Sequence, residues 1–118
     1  MKYVCLVYGE EKDLHALTPA GSAKLNADSL AYDRSLEEKG LLIVAEALQS
    51  VTSAKTVRRR QGKRLVTDGP FTETKEQLLG FVMVEAKDLD EALDIAAGIP
   101  LAEIGTVEVR AIYDIPGS

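Results

Sequence analysis

Apolar residues fill both alternating sets of positions from Lys2 to Tyr8. Tyr3, Cys5 and Val7 fall on one side and Val4, Leu6 and Tyr8 on the other, which predicts a central strand. After the charged stretch Glu10 to Asp13, Thr18 and Pro19 read as a cap and a first-turn proline opening a helix that runs to about Lys39 and stops at Gly40. At ~100° per residue Leu25, Tyr32 and Leu36 share one stripe of this helix, and Ala20, Ala23, Ala27, Leu30 and Ala31 take much of the other side. Leu41 to Leu48 is a second apolar strand, broken only by Glu46, and Gln49 to Ala54 is a polar connection.

Thr56 to Arg60 and Lys63 to Thr67 flank Gln61-Gly62, a two-residue hairpin signal. Asp68-Gly69-Pro70 closes that hairpin, because Pro70 has no N–H for a ladder and holds Gly69 in extended or turn geometry. Leu78 to Ala86 is the next strand, with Phe81 and Met83 alternating against Val82 and Val84. Asp88 and Glu91 form a capping box for a second helix that Gly98 and Pro100 end, and Thr106 to Ile115 is the last strand.

The order is βαββαβ with an inserted hairpin, an α+β plan. Right-handed crossovers place both helices on one face of an antiparallel sheet. The other face then has no cover, although several strands are apolar on both sides. The economical remedy is a homodimer through the sheet face, two sheets meeting as a dimeric α/β barrel.

At 118 residues, 46% hydrophobic and 28% charged, residues 1–118 are expected to form one globular domain. No uncharged apolar run approaches the roughly 20 residues of a membrane span, and no apolar leader precedes Glu10 and Glu11, so a cytoplasmic protein without membrane contact is expected. One cysteine, Cys5, and one histidine, His15, are too few for a disulfide or a closed zinc site, so neither metal nor cofactor is expected. The net charge of −5 hides one exception: six of the 14 basic residues (Lys55, Arg58, Arg59, Arg60, Lys63, Arg64) crowd the hairpin, leaving eight against 19 acidic residues elsewhere. An acidic body and a hairpin without aromatic residues argue against direct nucleic-acid binding. The cations also suit an edge that resists aggregation.

The segment Thr67-Asp68-Gly69-Pro70-Phe71-Thr72-Glu73-Thr74-Lys75-Glu76-Gln77-Leu78-Leu79-Gly80-Phe81 resembles the signature of the DGPF branch of the YCII-related superfamily. The likeness extends over nearly the whole chain, through Met1-Lys2-Tyr3, Glu46-Ala47-Leu48-Gln49, Asp88-Leu89-Asp90-Glu91-Ala92 and Gly105-Thr106-Val107-Glu108-Val109-Arg110. It implies a ferredoxin-like dimeric barrel and, from the gene neighbourhoods of the branch, an association with sigma-factor signalling. More distant members carry a His on the first helix, paired with an Asp, and one related branch removes chloride from a hydroxylated aromatic ring. Here that helix reads Ala20-Gly21-Ser22-Ala23-Lys24-Leu25-Asn26-Ala27-Asp28 and His15 precedes it, so the His-Asp mechanism is not carried over.

The candidate chemistry lies in carboxylates. Asp68 is either turn chemistry, satisfying N–H groups two residues on, or a carboxylate facing a cleft. Glu46 interrupts an apolar strand, where burial would raise its pKa for acid–base work, or else it faces an edge. Phe71, Glu73 and Lys75 offer an aromatic wall, an acid and a cation for a small ligand, against the alternative of a solvated loop. Tyr8 and Tyr32 offer hydroxyls to a cavity, against core packing. His15 reads as a loop histidine, and Cys5 as buried and inert. No phosphate loop or nucleophile elbow is present. Two readings follow: a regulatory or interaction module with a small-ligand pocket and a protein partner, or a small-molecule enzyme that uses Asp68 and Glu46 for proton transfer.

Overall fold

In the computed structural model, residues 1–117 are described. They form β1 (Lys2–Gly9), α1 (Glu11–His15), α2 (Pro19–Glu38), β2 (Leu42–Ala47), β3 (Lys55–Arg60), β4 (Lys63–Asp68), β5 (Gln77–Glu85), α3 (Leu89–Ala97) and β6 (Thr106–Ala111), with single 3₁₀ turns at Val51–Ser53 and Pro100–Glu103. The four-stranded sheet runs β2-β5-β1-β6, all antiparallel, and β3-β4 forms a separate two-stranded ladder. This is the βαββαβ order read from the sequence, with the hairpin inserted between β2 and β5.

Pairing explains which faces are covered. Cys5 lies opposite both Val82 and Val109, and Tyr3 opposite Val84 and Ala111, so these side chains share one side of the sheet. That side packs on Leu36 of α2 and on Ala92, Ile95 and Ala96 of α3, and Cys5 and Val84 are completely buried. Burial pushes the Cys5 thiol up from its ordinary value, as an inert core cysteine requires. The opposite side carries Val4, Leu6, Val44, Phe81 and Met83, all only half-buried, with Glu108 and Arg110 beside them.

Local signals set the boundaries. The Thr18 hydroxyl accepts from the Gly21 N–H and Pro19 occupies the first helical position, so α2 begins where capping chemistry places it. The Asp88 carboxylate accepts from the Glu91 N–H, while Glu91 accepts from the Lys87 N–H, one residue before the usual capping-box donor. Gln61 and Gly62 both take positive φ, the turn that matches the twist of a hairpin, and Gly69 takes φ +90° as the chain leaves it.

Two segments depart from the sequence reading. The charged stretch after β1 is a short helix, α1, rather than an unstructured connection. The last strand ends at Ala111 instead of Ile115: its ladder with β1 closes at the Tyr3–Ala111 pair, and the Lys2 carbonyl takes the Ile112 N–H. No described helix is long and apolar enough to cross a membrane.

Candidate functional site

The helix α2 covers the sheet unequally. Leu36 near its C-terminal end is fully packed and is its only buried residue. Toward its N-terminus from there, the residues next to the Leu25–Tyr32–Leu36 stripe are Ser22, Asn26, Ser29 and Asp33, spaced by four, three and four. That spacing stacks them along one line of the helix, and short polar side chains cannot fill the space down to the sheet. A cleft of about 680 Å³ remains between α2, β2, β5 and the turn after α3. Its walls are mainly apolar, from Leu14, Leu17, Leu25, Leu79, Ile99 and Leu101.

A β-bulge helps to shape this cleft. Val7 lies opposite Gly80 and Tyr8 opposite Leu78, so Leu79 has no opposite residue and joins the cleft wall. Gly80, also on the wall, is required by close strand approach, since a Cβ there would lie 2.6 Å from the Glu46 carbonyl oxygen.

Asp33 is the chemically distinctive group of the cleft. Its carboxylate is half-buried, and it has no hydrogen-bond or ion-pair partner among the described residues. Burial therefore raises its pKa above the ordinary aspartate value with nothing opposing it. Next to it, the Tyr32 hydroxyl donates to the Ile95 carbonyl oxygen at 2.6 Å. Desolvation, with a smaller contribution from Cys5, raises the Tyr32 pKa, so the phenol stays a protonated donor. Tyr32 thus anchors α2 to α3, and Asp33 is left facing the cavity.

The residues singled out in the sequence are dispersed. Glu46 is exposed on the edge strand β2, where its side of the strand meets no covering element, and it lines the cleft. Of the two settings the sequence left open for it, the structure has the edge-facing one. Asp68 ends β4, is exposed, and accepts a hydrogen bond from Lys55 Nζ at 2.6 Å across the hairpin base. Asp68 does not line the cleft that Glu46 borders. Phe71 is 77% exposed, and Glu73 is exposed in the same loop without lining either hollow.

Tyr8 and Lys75 do come together, with Glu10, Glu76, Thr106 and Glu108, in a shallow notch of about 710 Å³ at one end of the sheet. Of its three carboxylates, Glu10 is the one with lysine partners. Glu10 lies 3.2 Å from Lys12 and 3.5 Å from Lys75, and Glu76 accepts from the Thr106 hydroxyl at 2.9 Å. The notch is polar and keeps an excess of carboxylates over cations, whereas the cleft sets a single unpartnered carboxylate, Asp33, among mainly apolar walls. His15 lies exposed on α1 and lines neither hollow. Among the described residues no group of three or more His, Cys, Asp or Glu side chains is placed to hold a metal ion.

Residues 1–116 match the YCII-related domain. The chain belongs to this family. It is 39% identical over 114 residues to an uncharacterised protein of Rhizobium meliloti (strain 1021), an alignment covering 95% of this chain and 92% of that one. Among solved structures it resembles 5-chloro-2-hydroxyhydroquinone dehydrochlorinase from Burkholderia phenoliruptrix AC1100 in complex with 2,5-dihydroxybenzoquinone, with a TM-score of 0.58. That likeness covers 96% of this chain and 94% of the dehydrochlorinase at 16% identity, a similarity of fold.

Asp33 and the polar line on α2 were not read from the sequence as a site. The signal was present: four polar residues at helical spacing beside an inward apolar stripe, where a fully packed helix would carry apolar ones.

Proposed function

We propose that this YCII-related protein binds a small, mainly apolar molecule in the cleft beneath α2 and moves a proton on it with Asp33. The observation that carries this reading is the unpartnered Asp33 carboxylate in an apolar-walled hollow. A carboxylate of raised pKa exchanges protons nearer neutral pH than a solvated one, which suits a general acid or base. Ser22, Asn26 and Ser29 supply hydrogen-bonding groups that orient a polar substituent, and the leucine walls take the apolar body. Glu46 borders the cleft through its strand, with its side chain on the open face beside Phe81. Asp68, Phe71, Glu73 and Lys75 belong to the hairpin base and the loop after it.

The fold shared with a dehydrochlorinase supports a ligand-binding role. Chloride elimination is not carried over, because His15 is outside the cleft. The chain is a member of the DGPF branch on its Asp68-Gly69-Pro70-Phe71 segment, acts in the cytoplasm, and pairs with a second copy through the half-buried sheet face of Val4, Leu6, Phe81 and Met83. A regulatory role beside a sigma factor rests on the family resemblance, and the exposed basic hairpin is the surface it would use.

A thermal-shift screen of uncharged hydroxylated aromatic and aliphatic compounds tests the cleft. Hits should raise the melting temperature of the wild type and lose that effect when Ser29→Leu fills the hollow. Hits unaffected by Ser29→Leu, in a variant that folds normally, would place binding elsewhere.

A further inference from the structure

The cleft has an unusual balance of charge for its size. The titratable side chains that α2 brings to it are Tyr32 and Asp33; Glu46 of β2 borders it but shares the open-face side of its strand with Val44 and Phe81, and none of the lining residues is Lys, Arg or His. The hydrogen-bonding side chains beside Asp33 are neutral: Ser22, Asn26 and Ser29. An anionic ligand would therefore enter an apolar space containing a carboxylate, with no cation to offset its lost hydration or the repulsion. A cation gains on both counts, because it supplies the partner that Asp33 lacks.

Resting on the cleft reading above, we infer that the natural ligand is an amine: a ring-sized apolar molecule carrying a protonated nitrogen that pairs with Asp33. Leu25, Leu79 and Leu101 hold its apolar body. The Asp33 carboxylate accepts the ammonium hydrogen bond, with Ser29 and Asn26 close along the same helix line. In this the chain differs from what the fold alone suggests. Its structural neighbour was solved with 2,5-dihydroxybenzoquinone, a vinylogous acid that ionises readily, and this cleft disfavours such an anion.

Pairing across an otherwise apolar wall is a charge-assisted hydrogen bond, strong enough to give about tenfold or more in affinity over an uncharged analogue. Titration calorimetry of the full chain near neutral pH with phenethylamine, phenethyl alcohol and phenylacetate reads this directly. The amine should bind at least about tenfold more tightly than the alcohol, by the same charge-assisted gain, with phenylacetate and 2,5-dihydroxybenzoquinone silent. In Asp33→Asn the amine should lose its preference over the alcohol, and Asp33→Ser should repeat this if the amide perturbs folding. Equal binding of amine and alcohol would overturn the amine assignment and leave the cleft as a ligand site. Binding of the acid above the amine, or an amine preference that survives in both Asp33 variants, would also overturn it. Heat from none of the compounds would contradict the cleft reading itself.

Discussion

The Tyr32 hydroxyl meets Ile95 through space that Gly98 alone provides, since a Cβ on Gly98 would fall on the Tyr32 hydroxyl and ring. Gly98 has an ordinary helical φ of −84°, so its role is steric rather than conformational. The Ile95 carbonyl also accepts from the Gly98 N–H at 3.1 Å, so Tyr32→Phe leaves no orphaned acceptor and should cost about 1 kcal/mol. Gly98→Ala displaces the ring and should cost more, about 1–3 kcal/mol. Chemical denaturation of the two variants checks the order. A Gly98→Ala protein as stable as wild type would remove the Tyr32 anchor from the account.

Two carboxylates should shift stability with pH in opposite directions. Glu11 accepts from the Val51 N–H at 2.8 Å and the Ser50 hydroxyl at 2.7 Å, tying α1 to the connection before the hairpin and lowering its pKa below 4.5. Its contribution is present above its unfolded pKa and is lost as pH falls through the lower folded value. Glu11→Gln should therefore be destabilising near neutral pH and close to neutral in acid. Urea midpoints of wild type and variant across this range provide the measurement.

Asp33 has the reverse sign. Its folded pKa is raised, so the folded state is favoured with Asp33 protonated, below its unfolded value of about 3.8. That advantage is lost as pH rises through the folded value. Asp33→Asn should stabilise the protein at neutral pH while abolishing cleft chemistry, and the gain should vanish in acid. A destabilised, still folded Asp33→Asn at neutral pH would assign the carboxylate to architecture instead.

The fold was legible because its signals are local. The double-faced alternation of β1, the Thr18-Pro19 cap, the Gln61-Gly62 turn and the Asp88–Glu91 box each act within a few residues. The site was less legible because it arises from what α2 fails to fill. Ser22, Asn26, Ser29 and Asp33 read individually as solvated helix positions, and only the sheet beneath them makes their line a cleft. Glu46 shows another difficulty: its apolar neighbours left burial and an edge position equally open, and only the strand order, with β2 at the edge, decides between them. Tyr8 and Lys75 share the notch through β1–β5 pairing, a long-range contact no local motif encodes.

The hairpin stands apart from the body. The Gly69 N–H donates to the Ala54 carbonyl at 2.7 Å, so the two ends of the insertion already meet. Replacing residues 55–68 with a two-residue turn should leave the circular dichroism and the cleft's ligand binding intact. The intact protein should show no submicromolar binding to duplex or single-stranded DNA near physiological salt, because the acidic body repels phosphate. Tight, steeply salt-sensitive binding lost on neutralising Arg58, Arg60 and Arg64 would reverse this.

The pairing of β1 separates two neighbouring residues. Cys5 faces the helices and Val4 the open side. Light scattering at micromolar concentration should give twice the 12.8 kDa chain mass. Val4→Asp or Met83→Asp should yield a folded monomer, whereas Cys5→Asp should unfold the chain. A wild type that remains monomeric would contradict pairing through the sheet.

The central claim is that the hollow beneath α2 is the functional site. Amide shift mapping by nuclear magnetic resonance, titrating the labelled protein with phenethylamine, tests it most directly. Shifts concentrated at Ser22, Asn26, Ser29, Asp33 and Leu79, and reached in Asp33→Asn only at the higher concentrations that phenethyl alcohol requires, are predicted. Shifts confined to the notch at Tyr8, Lys75 and Thr106, or to Val4 and Met83 on the open sheet face, would contradict it.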